Sequence, residues 1–344
     1  MKTRARIIAA ILAMLIIVTA SSCAGERSQE HPHATVPEDT TGGTGREAST
    51  NEDGQTAPNL NGAHLREIST DREGNRISLP DKIERVVSIG PSCTEILVGL
   101  GLGDMIIATD TFSENIAGIK PGISNFDMLF IDGEQLIVMQ PDIVFVAGLS
   151  KATIGDDPFG VISNAGICVV YIPTSTSIEG IKDDIRFVAA VMGAQEKGQA
   201  LIEEMGREID SIRAIGHTVT DKKSVYFEIS AAPWMYSFGS GVFLNEMIEI
   251  IGAVNIFEQL EGWHLIADEA VLNANPDIIF TTVNYIEDPV GEIKSRPGWN
   301  GITAVRNGNV YFIDTDASNR PSHNIVIALR EMAEAAYPEL FTDH

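Results

Sequence analysis

The chain has 344 residues, of which 44% are hydrophobic and 21% are charged; this length exceeds that of one average domain, so we expect two lobes. Its 48 acidic residues outnumber 24 Lys and Arg, giving a formal net charge of −24. Such a protein repels phosphate backbones, which excludes nucleic acid as a partner. Three cysteines are too few for a disulfide framework, and the histidines have no ligand spacing. The sequence therefore predicts no metal site and no intrinsic cofactor.

The first 22 residues have the pattern of an export signal. Three basic residues precede an apolar run over residues 7–20, which is too short to span a bilayer comfortably, and small residues then lead to Cys23. A cysteine at this position resembles a bacterial lipobox, in which the thiol is acylated and becomes the first residue. We predict a lipoprotein signal peptide over residues 1–22 and an exported protein, lipid-anchored through Cys23 to the outer face of the cytoplasmic membrane. The alternative is an ordinary signal peptide with an incidental cysteine.

Residues 23–65 differ in composition from the rest of the chain. They are rich in Gly, Thr, Ser, Asn, Pro and acidic residues and contain almost no bulky apolar residue. Such a segment cannot bury enough apolar surface to fold, so we predict a disordered tether. A flexible chain of this length would span on the order of 35 Å root-mean-square, which lets a folded domain swing near the membrane.

Downstream of the tether, short apolar runs alternate with segments of helical pattern. A β-prone segment over residues 65–79 predicts a hairpin that turns at residues 71–75. Ser92 and Glu95 fit a capping box, which predicts that a helix begins there. The elements predicted for this part of the chain are strand 85–89, helix 96–100, strand 105–109, helix 134–139, strand 143–147, helix 162–165 and strand 168–172.

A long helical segment separates these elements from a second series. Residues 177–215 carry no strand signal and are broken once near Gly193, and apolar residues recur at helical spacing after the break. Strands that alternate with helices imply parallel sheets flanked by helices. The predicted fold class is therefore α/β, with two Rossmann-like parallel-sheet lobes, residues 66–192 and 218–344, joined by a connecting helix over 193–217. The second lobe is predicted to contain strand 225–229, helix 244–251, helix 269–272, strand 278–282, strand 310–313 and helix 324–336.

A weak internal repeat supports two related lobes. Residues 134–145 align with residues 269–280, and in both a glutamate stands seven residues before Pro-Asp-Ile-x-Phe. This pattern predicts a short helix, a proline that blocks its continuation, and a core strand. Glu134 and Glu269 open their helices and should be exposed. From the residues alone, they complement the helix dipoles, which is worth roughly 0.3–1 kcal/mol each.

No motif in the chain indicates an enzyme. The glycines at 99, 101 and 103 end a predicted helix instead of joining a strand to one, so they do not form a dinucleotide fingerprint, and no phosphate loop or nucleophile elbow occurs. We predict that Cys93 and Cys168 are packing residues, although a thiol at a helix start could have a lowered pKa. His264 is either polar surface or a metal or haem ligand.

Several segments, in this order and spacing, resemble the substrate-binding proteins of bacterial ABC importers for iron–siderophores, haem and cobalamin, the Fe/B12 periplasmic-binding family. The resemblance covers residues 68–341. It rests on the opening strand and first loop, on the paired glutamate helices and on the final strand and helix, which are residues 70–80, 85–92 and 94–97, then 134–144 and 269–279, then 304–311 and 320–339.

The resemblance implies a ligand cleft between two lobes that a rigid helix joins. It also implies that Glu134 and Glu269 each contact an arginine on one of the two permease subunits. The expected partners are therefore a transmembrane permease dimer, with its cytosolic ATPase, and a small-molecule metal chelate. The protein is expected to be a monomer and to touch the membrane only through its lipid anchor.

The cleft can be placed from topology, since ligands of open parallel sheets gather at the carboxyl ends of the strands. Several of the scarce aromatic residues fall in loops at such ends, where exposed rings suit a large flat ligand; the alternative is that they pack beneath their own loops. The predicted ligand-binding residues are Ser92, Met128, Trp234, Tyr236, Trp263, Tyr285 and Arg320.

Two features favour one ligand class. Trp263 precedes Glu269 by six residues, as a tryptophan does in the cobalamin-binding branch that this segment resembles, and its first-lobe counterpart is Met128. Ferric catecholates and haem are anionic and need arginine clusters. In this sequence only Arg320 and Arg296 are placed to contact an anionic ligand. The sequence thus predicts capture of a corrinoid, such as cobalamin, for an ABC importer. A ferric siderophore or haem is the alternative within the family, and a surface sensor or exported enzyme lies outside it.

Overall fold

The computed structural model describes residues 68–128, 130–148 and 158–341. The predicted signal peptide, the tether and Cys23 lie outside these residues. Within the same ranges, no helix has the length and apolar character needed to cross a membrane. The predicted turn at residues 71–75 is present, and an antiparallel bridge between Thr70 and Arg76 closes it.

The first lobe is built on one parallel sheet. Its elements are β1 (Val86–Ile89), α1 (Pro91–Gly99), β2 (Ile106–Asp110), β3 (Ser124–Phe126), α2 (Gly133–Val138), β4 (Ile143–Ala147), α3 (Pro158–Asn164) and β5 (Cys168–Ile172). The strand order is β3-β2-β1-β4-β5, and every neighbouring pair is parallel. The predicted strands 143–147 and 168–172 coincide with β4 and β5.

Two consecutive helices, α4 (Ile178–Val191) and α5 (Gln195–Gly216), follow the first lobe. Gly193, with a φ of +67°, lies between them, at the predicted break. The buried face of α5 includes Ile202, Met205 and Ile209, which belong to one apolar core together with residues of both lobes. Helix α5 therefore packs into both lobes instead of spanning open solvent.

The second lobe repeats the parallel-sheet design. Its elements are β6 (Ser224–Glu228), β7 (Tyr236–Phe238), α6 (Phe243–Ile250), β8 (Val254–Asn255), β9 (Trp263–Leu265), α7 (Asp268–Ala274), β10 (Ile278–Thr281), α8 (Pro289–Ser295), α9 (Thr303–Asn307), β11 (Val310–Phe312), α10 (Thr315–Asn319), α11 (Ile325–Ala336) and α12 (Pro338–Phe341). Strands β11-β10-β6-β8 form a parallel sheet, and β7 and β9 form a separate antiparallel ribbon.

Successive residues of the central strands enter different apolar clusters, because side chains alternate across a sheet. In β4, Ile143 and Phe145 belong to the core shared by both lobes, whereas Val144 and Val146 belong to a second cluster on the other face. Strand β10 divides in the same way between the shared core and a third cluster. Both faces of each sheet are covered, which explains the continuous apolar runs in the sequence. The predicted α/β fold with two parallel-sheet lobes is confirmed.

Helix α1 begins differently from the prediction. It starts at Pro91, and no side chain caps it, so the proposed capping box of Ser92 and Glu95 is wrong. Gly90 has a φ of +130°, and a Cβ at this position would lie 2.3 Å from the Cβ of Ala147. Only glycine fits this turn, and the proline that follows has its φ fixed for the first helical position. The side chain of Glu95 is therefore available for a contact with the second lobe.

Candidate functional site

Glu95 joins the two lobes at the carboxyl end of β1. Its Oε1 lies 2.8 Å from Nη1 of Arg320, and its Oε2 accepts a hydrogen bond of 2.9 Å from the amide of Asn324 and another from the hydroxyl of Ser322. All three donors belong to the second lobe. The Glu95 side chain is only 5% exposed. A buried carboxylate of the first lobe thus fixes the segment between α10 and α11.

Arg320, which the sequence predicts as a ligand-binding residue, forms an ion pair with Glu95 of the first lobe. Besides Glu95, its guanidinium contacts Asp316 at 2.8 Å and donates to the carbonyl oxygen of Phe112 at 3.0 Å. Its charge is therefore balanced by two carboxylates. The partner on the first lobe could not be identified from the sequence because Glu95 was assigned to a helix cap.

A buried polar network supports the turn between β1 and α1 that leads to Ser92. Asp110 accepts hydrogen bonds from the backbone N–H groups of Gly90 and Phe112, both at 2.8 Å, and from the hydroxyl of Ser113 at 2.6 Å. Burial raises the pKa of the Asp110 carboxyl, against the effect of these donors. Ser92 itself is half-buried in the first turn of α1. The turn is therefore held by groups beneath it.

Trp234 is the exposed aromatic side chain of the second lobe that the sequence predicted. It is 61% exposed. Its carbonyl oxygen accepts a hydrogen bond of 2.5 Å from the Ser230 hydroxyl, and the N–H of Ala231 donates to the phenol oxygen of Tyr285 at 2.8 Å. Tyr285 is half-buried, so its ring supports the loop that presents Trp234.

Tyr236 and Trp263 lie on strands β7 and β9 and not in loops, which corrects the sequence prediction. Their rings stack with a centroid separation of 6.3 Å and an interplanar angle of 5°. Trp263 also meets Phe238 edge-on at 5.6 Å. Tyr236 is only 6% exposed, so the prediction of an exposed ring is wrong for it, whereas Trp263 is half-buried. Strands β7 and β9 have only three residues each, and the residues that pair are 25 to 29 positions apart in the sequence. Such short strands have too little local pattern to be predicted.

Arg296 is buried in the second lobe. Its guanidinium lies 2.6 Å from the carboxylate of Glu228 and 2.5 Å from that of Glu292, and it stacks 4.5 Å from the ring centroid of Trp299. Glu228 ends strand β6. Arg296 is thus a structural cation with two carboxylate partners and is not free to meet an anionic ligand.

The first lobe contributes apolar side chains near the carboxyl ends of its strands. Met128 is half-buried and packs on the second apolar cluster. Phe112, just after β2, is 39% exposed, and Phe130, in the loop after β3, is 62% exposed. Neither phenylalanine was singled out from the sequence, although each follows a predicted strand or lies in a predicted cleft loop. Exposure is a tertiary property that local pattern does not reveal.

The cysteines and His264 have ordinary structural environments. Burial raises the pKa of the Cys93 thiol to about 12 and that of Cys168 to about 11, which agrees with packing roles and not with a lowered pKa. His264 lies on β9, and its Nε2 is 2.9 Å from the carbonyl oxygen of Glu261. The described ranges contain no group of three or more His, Cys, Asp or Glu side chains arranged to hold a metal ion.

Glu134 and Glu269 occupy equivalent positions in the two lobes. Each lies in the first turn of its helix, α2 or α7, and each is exposed, as predicted. Neither forms an ion pair with another residue of the part of the chain that the structure describes. Two isolated carboxylates, one per lobe, are therefore presented to solvent on related helices.

The internal repeat is also visible in backbone geometry. Gln140 and Asn275, the residues before the two Pro-Asp pairs, both adopt left-handed conformations, with φ of 49° and 46°. Asp142 then accepts a hydrogen bond of 2.8 Å from the N–H of Arg85, and Asp277 accepts one of 2.9 Å from the N–H of Ser224. In both lobes the aspartate thus holds the start of the neighbouring central strand.

Comparisons with known proteins give a consistent result. The family model described as periplasmic binding protein matches residues 86–317. The chain is 29% identical over 279 residues to the uncharacterized ABC transporter substrate-binding lipoprotein YvrC of Bacillus subtilis (strain 168), covering 79% of this chain and 86% of that protein. It is 26% identical over 260 residues to the vitamin B12-binding protein of Vibrio parahaemolyticus, covering 74% and 90%.

A solved structure shares the fold. The crystal structure of a possible iron-binding (periplasmic solute-binding) protein from Staphylococcus epidermidis matches with a TM-score of 0.67 and 29% sequence identity. The match covers 75% of this chain and 100% of that chain.

Proposed function

Because the chain belongs to the periplasmic binding protein family and is an extracytoplasmic substrate-binding protein of an ABC transporter of the Fe/B12 type, we propose that it binds a corrinoid such as cobalamin. It delivers this ligand to a permease dimer that a cytosolic ATPase drives. Its relatives are binding proteins and not enzymes, and in this proposal the chain acts as a monomer, has no intrinsic cofactor and leaves its ligand chemically unchanged.

The charge balance of the cleft carries the choice of ligand. Arg296 and Arg320, the two arginines that the sequence placed near the ligand, both have carboxylate partners within 3 Å. An anionic chelate entering the cleft would have to break these ion pairs, which leaves a carboxylate unpaired and is strongly unfavourable. A corrinoid has little net negative charge and carries neutral amide and methyl groups around its ring, so it needs no free cation.

The aromatic residues support the same class. Trp234 is exposed in a loop of the second lobe, and the half-buried Trp263 stacks on Tyr236 and meets Phe238 edge-on. Phe112 and Phe130 offer apolar surface on the first lobe. A large ligand gains affinity from stacking and burial against such side chains. The similarity to a vitamin B12-binding protein adds support.

A ferric siderophore or haem is the second candidate, which the likeness to a possible iron-binding protein favours. Isothermal titration calorimetry of the mature protein with cyanocobalamin, haem and a ferric tricatecholate separates the candidates. We expect binding of cyanocobalamin at micromolar or lower concentration and no comparable binding of the anionic chelates. Tighter binding of haem or of the ferric chelate would overturn the corrinoid assignment and leave the importer family standing.

We propose that Cys23 carries a lipid anchor. The preceding residues resemble a lipobox, and one relative is named as a lipoprotein. Replacing the thiol, as in Cys23→Ser, should abolish metabolic labelling of the protein by a fatty-acid analogue. Labelling that persists in the variant would contradict acylation at this residue.

We also propose that Glu134 and Glu269 dock the protein on the permease. Both carboxylates are exposed, equivalent by the repeat, and without an ion-pair partner among the described residues. Two related carboxylates suit a partner with two-fold symmetry. Exposed ion pairs contribute little affinity but favour one orientation of the complex.

A further inference from the structure

An open hollow of about 630 Å³ lies beside Glu134 on the first lobe. Strand β3 forms one side of the hollow through Asn125 and Phe126, and helix α2 forms the other through Glu134, Val138 and Met139. Strand β3 is the edge strand of its sheet, so no further strand covers this side. A second, smaller hollow of about 250 Å³ shares Asn125 and extends the surface along the segment before β3.

The hollow combines acidic and apolar side chains. Asp132 and Glu134 lie at one end, with Asp132 capping helix α2 through the N–H groups of Glu134 and Gln135. Val138, one turn further along the same helix, is 81% exposed, the highest exposure among the large apolar side chains of the described ranges. An isolated apolar side chain needs no explanation on its own. Its position inside a hollow with a free carboxylate is what points to a partner.

The internal repeat supplies a natural comparison. Aligning Glu134 with Glu269 places Asn273 at the position of Val138, Ala274 at that of Met139 and Ala267 at that of Asp132. Asn273 is exposed, and helix α7 opens with two acidic residues. The second lobe thus presents a polar and acidic surface where the first lobe presents an apolar side chain next to an acid.

We propose that the hollow receives an extracytoplasmic loop of the permease in which a basic residue adjoins an apolar one. The basic group pairs with Glu134, and the apolar side chain, or the methylene stem of the basic residue, packs on Val138 and Met139. The first lobe then docks through charge and apolar burial, and the second lobe through charge alone. This inference rests on the docking role proposed above for Glu134.

The test measures binding of the full-length protein to its permease–ATPase complex, reconstituted in lipid nanodiscs, by biolayer interferometry at low and high salt. Val138→Ser should weaken binding about tenfold at both salt concentrations, because loss of apolar burial is not screened. Val138→Ile should retain binding. The matched control, Asn273→Ser at the equivalent position of the second lobe, should leave binding unchanged. Glu134→Gln and Glu269→Gln should weaken binding mainly at low salt, since ion pairs are screened.

The outcomes separate this inference from the docking role itself. If both glutamine variants weaken binding but Val138→Ser binds like the wild type, the apolar contact is refuted and the docking role stands. Equal losses for Val138→Ser and Asn273→Ser would also refute it, since the effect would not be specific to the hollow. If neither glutamine variant changes binding, the docking role fails, and the inference fails with it. As a control for an intact fold, ligand affinity and the far-UV circular dichroism spectrum should be unchanged in every variant.

Discussion

Glu95 shows how a single residue can tie two lobes together. The carboxylate is buried, and its three partners all come from the second lobe. Removing one member of such a group leaves the others buried without a partner, which is more costly than losing an exposed ion pair. The same arginine provides an internal reference, because it also contacts Asp316, whose side chain is 60% exposed.

We therefore predict that Glu95→Gln lowers the free energy of unfolding by about 3 kcal/mol. The control variant Asp316→Asn removes a carboxylate from the same guanidinium at the surface and should cost less than about 1 kcal/mol. Urea unfolding followed by circular dichroism measures both. Similar losses for the two variants would show that burial of Glu95 does not set its contribution.

Cys93 provides a second prediction at the level of one residue. Burial raises the pKa of its thiol from 9.0 to about 12, so at pH values below 9 the reactive thiolate is suppressed about a thousandfold. In the folded protein Cys93 should react with a maleimide only on the time scale of unfolding, and rapidly in urea. Any direct reaction of the folded thiol should accelerate about tenfold with each pH unit up to the raised pKa, whereas the rate of a free thiol levels off near pH 9. Fast labelling at pH 7, read by peptide mass spectrometry, would contradict this environment.

Helices α2 and α7 are the elements on which the docking role depends. Complementing a helix dipole is worth only roughly 0.3–1 kcal/mol, so charge reversal at their first turns should barely alter stability. We predict that the double variant Glu134→Lys, Glu269→Lys abolishes transport and leaves ligand affinity and the unfolding midpoint nearly unchanged. Uptake in cells and calorimetry on the purified variant test this. Lost ligand affinity in the variant would mean that these residues act in the cleft and not at the permease.

The elements also show where sequence reasoning succeeds. Strands β4 and β5 coincide with prediction because a strand buried on both faces is a continuous apolar run, and proline or glycine marks its limits. The glutamate helices were placed by the repeat, and the exposure of both glutamates followed from their position in the first turn. These properties are local, so the sequence contains them directly.

Other elements depend on contacts that are distant in sequence. Strands β7 and β9 exist only because they pair with each other, and this pairing buries Tyr236. Helix α1 begins at Pro91 because Gly90 passes close to Ala147, and Glu95 consequently binds the second lobe instead of capping the helix. The long-range ion pairs of Arg296 with Glu228 and of Arg320 with Glu95 were missed for the same reason. The exposure of Trp234 was predictable from the sequence, but the partners of the arginines were not.

At the scale of the whole molecule, a continuous apolar core links the lobes. The buried face of α5 packs with residues of both sheets and of helix α11. The ion pair between Glu95 and Arg320 also connects the two lobes. Large rotation of one lobe against the other would have to break apolar packing as well as the ion pair, and close-packed interiors do not deform gradually.

We accordingly predict small lobe motion on ligand binding. Small-angle X-ray scattering of the mature protein should give the same radius of gyration, within error, with and without ligand. Release would then depend on permease loops that enter the cleft and not on spontaneous opening. A large compaction on ligand addition would contradict a rigid connection.

The central claim, that a corrinoid binds in the cleft, can be tested most directly by titrating the mature protein with cyanocobalamin while tryptophan fluorescence is followed. Trp234 is exposed and Trp263 is half-buried, and both are proposed to lie beside the ligand, whereas Trp299 is fully buried and serves as the internal reference. Free N-acetyltryptophanamide corrects for absorption by the ligand. The account predicts saturable quenching at micromolar or lower ligand, with a smaller amplitude in Trp234→Phe and Trp263→Phe. Quenching no greater than that of the free amide would contradict the corrinoid assignment.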